Sequence, residues 1–176
     1  YINESIKTVK RNLKKYQPSI LVVVPLVLQM LHKQIIAQAK KSGKLEALEK
    51  GLKLSAFLHR FGIDISRKLF AEVYDVLGGK LRYFLCGGAP LDKLLVEFFA
   101  ALGITVLQGY GITECSPIVA ANLPEANRIG SVGRQFKCCE IRIIDGEICV
   151  RGGSVSPGYY RDDIATQQAF YDGWFH

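Results

Sequence analysis

The sequence has no apolar stretch long enough to cross a bilayer. The longest, Ile20–Leu31, is interrupted by Pro25 and Gln29 and falls short of the roughly twenty residues a membrane helix needs. There is no Gly-x-Ser-x-Gly, which disfavours a serine hydrolase, and no Gly-x4-Gly-Lys-Ser/Thr, which disfavours a P-loop nucleotidase. The five cysteines, Cys86, Cys115, Cys138, Cys139 and Cys149, contain no Cys-x-x-Cys pair and no zinc-type spacing with His32, His59 or His176. An odd set of this kind is expected to be reduced thiols in a cytoplasmic chain. No signal peptide is expected from the opening residues. Basic and aromatic residues do not interleave in the manner that reads bases, so nucleic acid is not an expected partner. Internal repeats and low-complexity segments are also missing.

What is present suits a folded core. Of 176 residues, 49% are hydrophobic, enough for one ordinary domain or a piece of a larger one. The net charge of +7, from 23 basic and 16 acidic side chains, is concentrated early, at Lys7, Lys10, Arg11, Lys14 and Lys15. Such a face attracts polyanions, including nucleotides, coenzyme A and anionic membrane, so peripheral membrane contact stays open. A lysine run on a helix also serves simply as a solvated face. Cys86 and Cys149 lie in apolar runs and are expected in the core. Cys115 is expected to be accessible, but no histidine beside it argues for a nucleophile.

The periodicity predicts an amphipathic helix over Ser5–Tyr16, with Ile6, Val9 and Leu13 on one stripe. Ser19–Val24 reads as a short buried strand, and Pro25 starts a second helix at its first turn. A third helix runs from Leu45 to Phe61. Asp64 is expected to cap a fourth, with Ile65, Leu69, Val73 and Val76 on its apolar face. Leu81–Cys86 is a strand, Leu91–Leu102 a helix with Leu91, Leu94, Leu95, Phe98 and Leu102 inward, and Ile104–Leu107 a strand. That order is a right-handed βαβ unit with parallel strands. After Asn127 the helical period disappears. Gly130–Gly133, Cys139–Ile144 and Glu147–Val150 read as β-type runs, with Asp145-Gly146 as a hairpin turn. Asp162–Phe170 reads as one short helix. The fold class is therefore α/β, a parallel βαβ sheet portion over residues 1–127 followed by a small antiparallel, barrel-like β portion over residues 128–176.

The stretch that carries chemistry is Gln108-Gly109-Tyr110-Gly111-Ile112-Thr113-Glu114-Cys115-Ser116-Pro117. It reads as a strand end, a tight glycine turn, then a hydroxyl beside a carboxylate. Glycines at 109 and 111 permit close approach of backbone to a flat ligand, and Tyr110 offers a ring to a base or a pocket wall. Thr113 offers a hydroxyl to a phosphate oxygen. Glu114 can hold Mg2+ through one oxygen while the ion keeps its waters. A second glycine turn, Gly87-Gly88-Ala89-Pro90, follows the strand before. Ligands of open parallel sheets bind beyond the carboxyl ends of the strands, so both turns are expected to contribute to one site.

Tyr110-Gly111-Ile112-Thr113-Glu114 resembles the Tyr-Gly-x-Thr-Glu signature of the adenylate-forming enzymes, which include acyl-CoA synthetases, nonribosomal peptide adenylation domains and luciferases. Cys86-Gly87-Gly88-Ala89-Pro90-Leu91 resembles the Ser-Gly-Gly-Ala-Pro-Leu block of fatty acyl-CoA synthetases. Gly130-Ser131-Val132-Gly133, then Gly146-Glu147-Ile148-Cys149-Val150-Arg151-Gly152, Gly158-Tyr159 and Asp172-Gly173-Trp174, resemble later blocks of the family in order and spacing. The resemblance covers essentially the whole chain and is greatest to bacterial long-chain fatty acid members.

The resemblance implies an ATP-dependent ligase that activates a long-chain fatty acid as acyl-AMP and then forms acyl-CoA. ATP, fatty acid and coenzyme A would be substrates, with Mg2+ held by Glu114. Gly87, Gly88, Ala89 and Pro90 would border the adenine with Gln108, Gly109, Tyr110, Gly111 and Ile112, Gly109 also leaving room for the acyl carboxyl end. Thr113 would bond a phosphate oxygen, making Thr113 and Glu114 the catalytic pair. The family's phosphate-gripping loop, its ribose-binding aspartate and its mobile carboxy-terminal domain with a catalytic lysine find no match in these residues. The chain is therefore expected to be an internal portion of a larger synthetase, with the rest of that chain as its partner and no turnover by itself. An adenylation domain or acyl-AMP ligase with another acceptor, and a non-catalytic nucleotide- or acyl-binding module, are the alternatives.

Overall fold

Pro25 fixes the first corner of the fold. Its ring holds the backbone ready for a helix and pushes the residue before it into an extended conformation. In the computed structural model, which describes residues 5 and 8–176, Val24 is extended (φ −101°, ψ 160°) and helix α2 runs Pro25–Lys41. Lys40 and Lys41 sit in its last turn, where positive charge suits the negative end of the helix dipole. Ahead of it stand α1 (Val9–Tyr16) and β1 (Ile20–Val23). The part of the first expected helix that falls on Ile6 and Lys7 lies outside the described residues.

The chain forms two compact units, one running to Leu107 and the other from Gln108 to His176. The division falls ahead of the change in sequence texture at Asn127.

In the first unit, α2 is followed by α3 (Leu45–His59), α4 (Ser66–Leu69), α5 (Ala71–Val76), β2 (Tyr83–Cys86) and α6 (Lys93–Ala101). Strand β3 (Thr105–Gly111) begins here and ends in the second unit. β1 and β2 pair in parallel, Ile20 opposite Tyr83 through Val23 opposite Cys86, and the order is β1-β2-β3. Helix α6 is the crossover from β2 to β3. Asp92 caps it, its carboxylate accepting the Leu94 N–H at 2.9 Å, an arrangement worth about 1 kcal/mol.

The core of this unit gathers Leu28 and Leu31 from α2, Leu77, Leu81 and Phe84, then Val96, Phe99, Leu102, Ile104 and Val106. Phe84 and Phe99 meet edge-on at 5.1 Å. Each such side chain contributes about 1.5–3 kcal/mol on burial. Tyr74 crosses the core to donate its hydroxyl to the Leu102 carbonyl at 2.7 Å.

Three expectations are corrected here. The helix from Asp64 is two short helices broken at Phe70. The break turns Phe70 and Tyr74 inward and leaves Leu69 exposed, so the stripe of Ile65, Leu69, Val73 and Val76 is not the buried face. In α6 the buried face is Leu95, Val96 and Phe99 with Leu102 beyond the end, while Leu94 is 71% exposed. The helix begins at Lys93 behind its Asp92 cap, which rotates the face by one position from the expected phase. In β1 only Val23 is buried and Val22 is 77% exposed, because β1 stands at the end of the strand order.

In the second unit, the end of β3 pairs antiparallel with β4 (Ile118–Ala121), and β4 with β5 (Arg134–Gln135). Gly130–Gly133 is a turn and not a strand. Buried Asn122 pins it, donating through Nδ2 to the Ser131 carbonyl at 2.6 Å and accepting the Arg128 N–H at 3.0 Å. A four-stranded sheet follows, ordered β6-β7-β9-β8, from β6 (Cys139–Ile144), β7 (Glu147–Gly152), β8 (Phe170–Tyr171) and β9 (Trp174–Phe175). The β6–β7 hairpin turns at Asp145-Gly146 with φ of 51° and 85°, the left-handed pair that matches strand twist. Helix α7 (Asp163–Ala169) is capped by Asp162, which accepts the Ala165 N–H at 2.9 Å. The small core here is Cys115, Val119, Cys139 and Val150.

Candidate functional site

The signature stretch is mostly strand. Gln108 through Gly111 form the end of β3, not a turn after it. Asn122 N–H donates to the Gln108 carbonyl at 2.8 Å, and Gly109 and Tyr110 lie opposite Ala121 and Ala120. The register slips between Tyr110 and Gly111, where Pro117 crosses. A Cβ at Gly111 would sit 1.9 Å from the Pro117 carbonyl oxygen. The missing side chain is thus needed by the chain's own backbone, a constraint nearer at hand than room for a ligand. Tyr110 is half-buried, its ring packed with Ile112 against the Cys115–Val119 cluster. Cys115, expected to be accessible, is fully buried, because the tight turn Thr113–Cys115 points it inward. Burial pushes its thiol up from the usual range, and the neighbouring Cys139 and Glu114 add to that.

The same turn leaves Thr113 exposed and Glu114 half-exposed. The Glu114 carbonyl accepts the Ser156 N–H at 2.6 Å. Its carboxylate Oε1 accepts the Tyr159 hydroxyl at 2.7 Å, and Oε2 has no hydrogen bond among the described residues. Tyr159 is held in turn. Its N–H donates to Thr166 Oγ1 at 2.9 Å, Thr166 donates onward to the Asp162 carbonyl at 2.7 Å, and its ring meets Phe170 edge-on at 5.5 Å. Gly158 makes that approach feasible. Its φ is +146°, and a Cβ there would lie 2.5 Å from the Thr166 methyl, so only glycine fits. The hydrogen bond to Glu114 is the chief reason the Tyr159 phenol is pushed up from its ordinary value, with some desolvation and the Glu114 charge behind it.

In the first unit, Gly87, Gly88, Ala89 and Pro90 form the turn at the carboxyl end of β2. The Gly87 N–H reaches the Val23 carbonyl at 3.4 Å, and Gly88, Ala89 and Pro90 are exposed. A cleft of about 610 Å3 elsewhere in that unit, with Lys10, Lys14, Lys44 and Lys68 at its margin, contains none of the signature residues.

One grouping was not legible in the cysteine and histidine spacing. Glu147 and Cys149 share a face of β7 by strand alternation, and the pairing of Val150 with Phe175 brings His176 alongside. His176 Nδ1 lies 3.3 Å from Cys149 Sγ and 3.6 Å from Glu147 Oε2, with the Tyr171 ring stacked on the imidazole at 3.8 Å. Among the described residues these three side chains are the one group whose donor atoms fall close enough together to share a cation. The signal that could have found them is the alternation combined with the return of β9 beside β7.

The profile described as AMP-binding enzyme matches residues 3–160. This chain belongs to the AMP-binding enzyme family. Similar proteins include the long-chain-fatty-acid–CoA ligase FadD15 of Mycobacterium bovis, 36% identical over 97% of this chain and 31% of its own length. The long-chain-fatty-acid–CoA ligase 1 of Cavia porcellus is 32% identical over 100% of this chain and 28% of its own. The chain thus spans about 30% of the length of the curated relatives it matches. Among solved structures, the anthranilate CoA ligase AuaEII in complex with anthranoyl-AMP superposes with a TM-score of 0.68 at 16% identity, covering 99% of this chain and 29% of that one. The O-succinylbenzoate coenzyme A synthetase of Bacillus subtilis, in complex with ATP and magnesium ion, gives 0.62 at 23%, covering 97% and 30%. These likenesses show that the chain shares its fold with part of each of those proteins.

Proposed function

We propose that this chain is part of an ATP-dependent acid–CoA ligase that activates a long-chain fatty acid as acyl-AMP and then transfers the acyl group to coenzyme A. The observation that carries the reading is the Glu114 carboxylate. It is half-exposed, oriented through one oxygen and open at the other, inside a family match that spans nearly the whole chain. The similarity to long-chain-fatty-acid–CoA ligases supports the fatty acid as substrate.

A carboxylate is a poor acyl donor, because oxide is its leaving group. In the first step a fatty acid oxygen attacks the α-phosphorus of ATP, and the bond to pyrophosphate breaks with its electron pair. Both reactants are anionic, so the site must supply positive charge and hydrogen bonds where negative charge gathers. The residues fit a cation of the Mg2+ type, since one free, half-exposed carboxylate oxygen suits an ion that retains most of its waters. Glu114 would hold the Mg2+, which would supply charge neutralisation at the phosphates. The exposed Thr113 hydroxyl donates to a phosphate oxygen. Gln108, Gly109, Tyr110, Gly111 and Ile112 serve nucleotide binding in the second unit, and Gly87, Gly88, Ala89 and Pro90 are the nucleotide-binding candidates of the first. No general base is required, because the attacking carboxylate is already ionised. The four buried, unpaired thiols and the exposed one support a reducing, cytoplasmic setting.

The test is fatty-acid-dependent ATP–pyrophosphate exchange in the full-length chain that carries these residues. Glu114→Gln is expected to slow exchange by about 10²-fold or more, the effect of removing one transition-state stabiliser. Unchanged exchange removes Glu114 from the mechanism. Exchange driven by amino acids and not by fatty acids assigns the chain to an adenylation domain instead.

A further inference from the structure

We propose that Tyr159 is a positioning residue, whose hydroxyl holds one oxygen of Glu114 so that the other is presented to a divalent cation. The inference rests on the reading of Glu114 as the cation-holding carboxylate, and adds a second residue, forty-five positions away, on which that role depends.

A glutamate has three side-chain torsions, and a free one at a half-exposed position samples many rotamers. A single-oxygen metal ligand needs one of them. The Tyr159 hydroxyl donates to Oε1 at 2.7 Å, a short bond to an ionised acceptor and therefore one of the stronger kinds. The backbone of Glu114 is fixed from the same segment, by the Ser156 N–H on its carbonyl at 2.6 Å. Both ends of the residue are thus held by residues 156–159.

That segment is built to be rigid. Ser156 Oγ and Gly158 bond each other twice, at 3.0 and 3.2 Å. Gly158 is pressed on Thr166, and Thr166 bonds both the Tyr159 N–H and the cap carbonyl of α7. The Tyr159 ring then rests on Phe170, which meets Phe175 at 5.0 Å. Oε1 is occupied by a neutral donor that cannot displace a cation, and Oε2 is left to bind one. The arrangement resembles the outer partners of metal-ligating carboxylates generally, whose loss weakens metal binding by about 10–100-fold.

The experiment compares Tyr159→Phe and Glu114→Gln in the full-length chain. Mn2+ is the probe, added with a non-hydrolysable ATP analogue, and bound ion is read from the loss of the free-ion paramagnetic signal. Magnesium dependence of ATP–pyrophosphate exchange and the thermal midpoint are read alongside. Tyr159→Phe keeps the ring on Phe170. It is expected to weaken Mn2+ about tenfold, to raise the Mg2+ needed for half-maximal exchange by a similar factor, and to recover near wild-type exchange at saturating Mg2+, with the thermal midpoint unchanged. Mn2+ affinity equal to or tighter than wild type in Tyr159→Phe, with Glu114→Gln losing the ion, overturns the proposal and leaves the Glu114 reading standing. A fallen midpoint with Mn2+ affinity intact also overturns it, since the hydroxyl then serves only the fold. Wild-type Mn2+ affinity in Glu114→Gln overturns the Glu114 reading itself.

Discussion

Gly109 and Gly111 flank the same tyrosine and look interchangeable in the sequence, yet alanine at the two positions is expected to have opposite consequences. Neither glycine has a positive φ. At such positions alanine stabilises by about 0.4–1 kcal/mol through the unfolded state. At Gly109 the added Cβ would meet the Ala120 carbonyl oxygen at 3.4 Å and the Ala121 Cβ at 3.7 Å. Those are ordinary contacts, so Gly109→Ala should change stability by no more than about 1 kcal/mol. At Gly111 the Cβ would lie 1.9 Å from Pro117 O, 2.8 Å from its carbonyl carbon and 2.9 Å from Ile118 Cα. All three are backbone atoms, and no side chain can rotate away. The strand must separate from β4, which adds overpacking of about 1–3 kcal/mol to the loss of one or two backbone hydrogen bonds worth about 1 kcal/mol each. Gly111→Ala should therefore cost about 3 kcal/mol net. For a chain of this size that is a fall of roughly 6–12 °C in thermal midpoint. Urea titration followed by circular dichroism measures both variants. If the two alanines prove equally stable and differ only in nucleotide binding, Gly111 serves the ligand, and the argument from Pro117 is wrong.

Three further outcomes are expected. The Asp64 carboxyl is held down to about 2, first by the Ser66 hydroxyl and further by the Ser66 N–H and by His59. Its stabilisation is therefore present above about pH 4, the unfolded value, and is lost as pH falls toward 2. Asp64 is largely exposed, so the effect is below about 1 kcal/mol, and Asp64→Asn should flatten the acid limb of a urea-midpoint profile. Tyr74→Phe leaves the buried Leu102 carbonyl without its 2.7 Å donor and should cost about 1–3 kcal/mol by denaturant titration; a loss under 0.3 kcal/mol contradicts the bond. Cys138 is the exposed thiol, while burial raises Cys86 to about 11 and lifts Cys115 and Cys139. A disulfide reagent should accordingly titrate one thiol quickly in the native chain and five in denaturant, and a second fast thiol contradicts the burial.

Elements with strong local punctuation were legible in the sequence. Pro25 set the start of α2, Asp145-Gly146 set the β6–β7 hairpin, and the short helix expected over Asp162–Phe170 is α7. Buried faces were less so. In α6 the leucines are so dense that Leu94 and Leu95 both fit an apolar stripe, and only the cap at Asp92 decides which turns inward. The split between α4 and α5 has no proline or glycine to announce it; packing of Phe70 and Tyr74 imposes it. In the signature stretch the residue types were readable, but the glycines, which suggest a turn, are strand residues, and Gly111 allows Pro117 to pass. Tyr159 and the Glu147–Cys149–His176 group could not be read from spacing, because pairing between distant segments brings them together.

The dependence of Glu114 on Tyr159 bears on attempts to transplant the site. A designer who grafts Gln108–Pro117 onto another scaffold would copy every letter of the signature and leave behind the hydroxyl that aims its carboxylate. The smallest transferable unit is discontinuous. It joins the decapeptide to the Ser156–Tyr159 segment and to the Thr166 and Phe170 contacts that keep that segment in place.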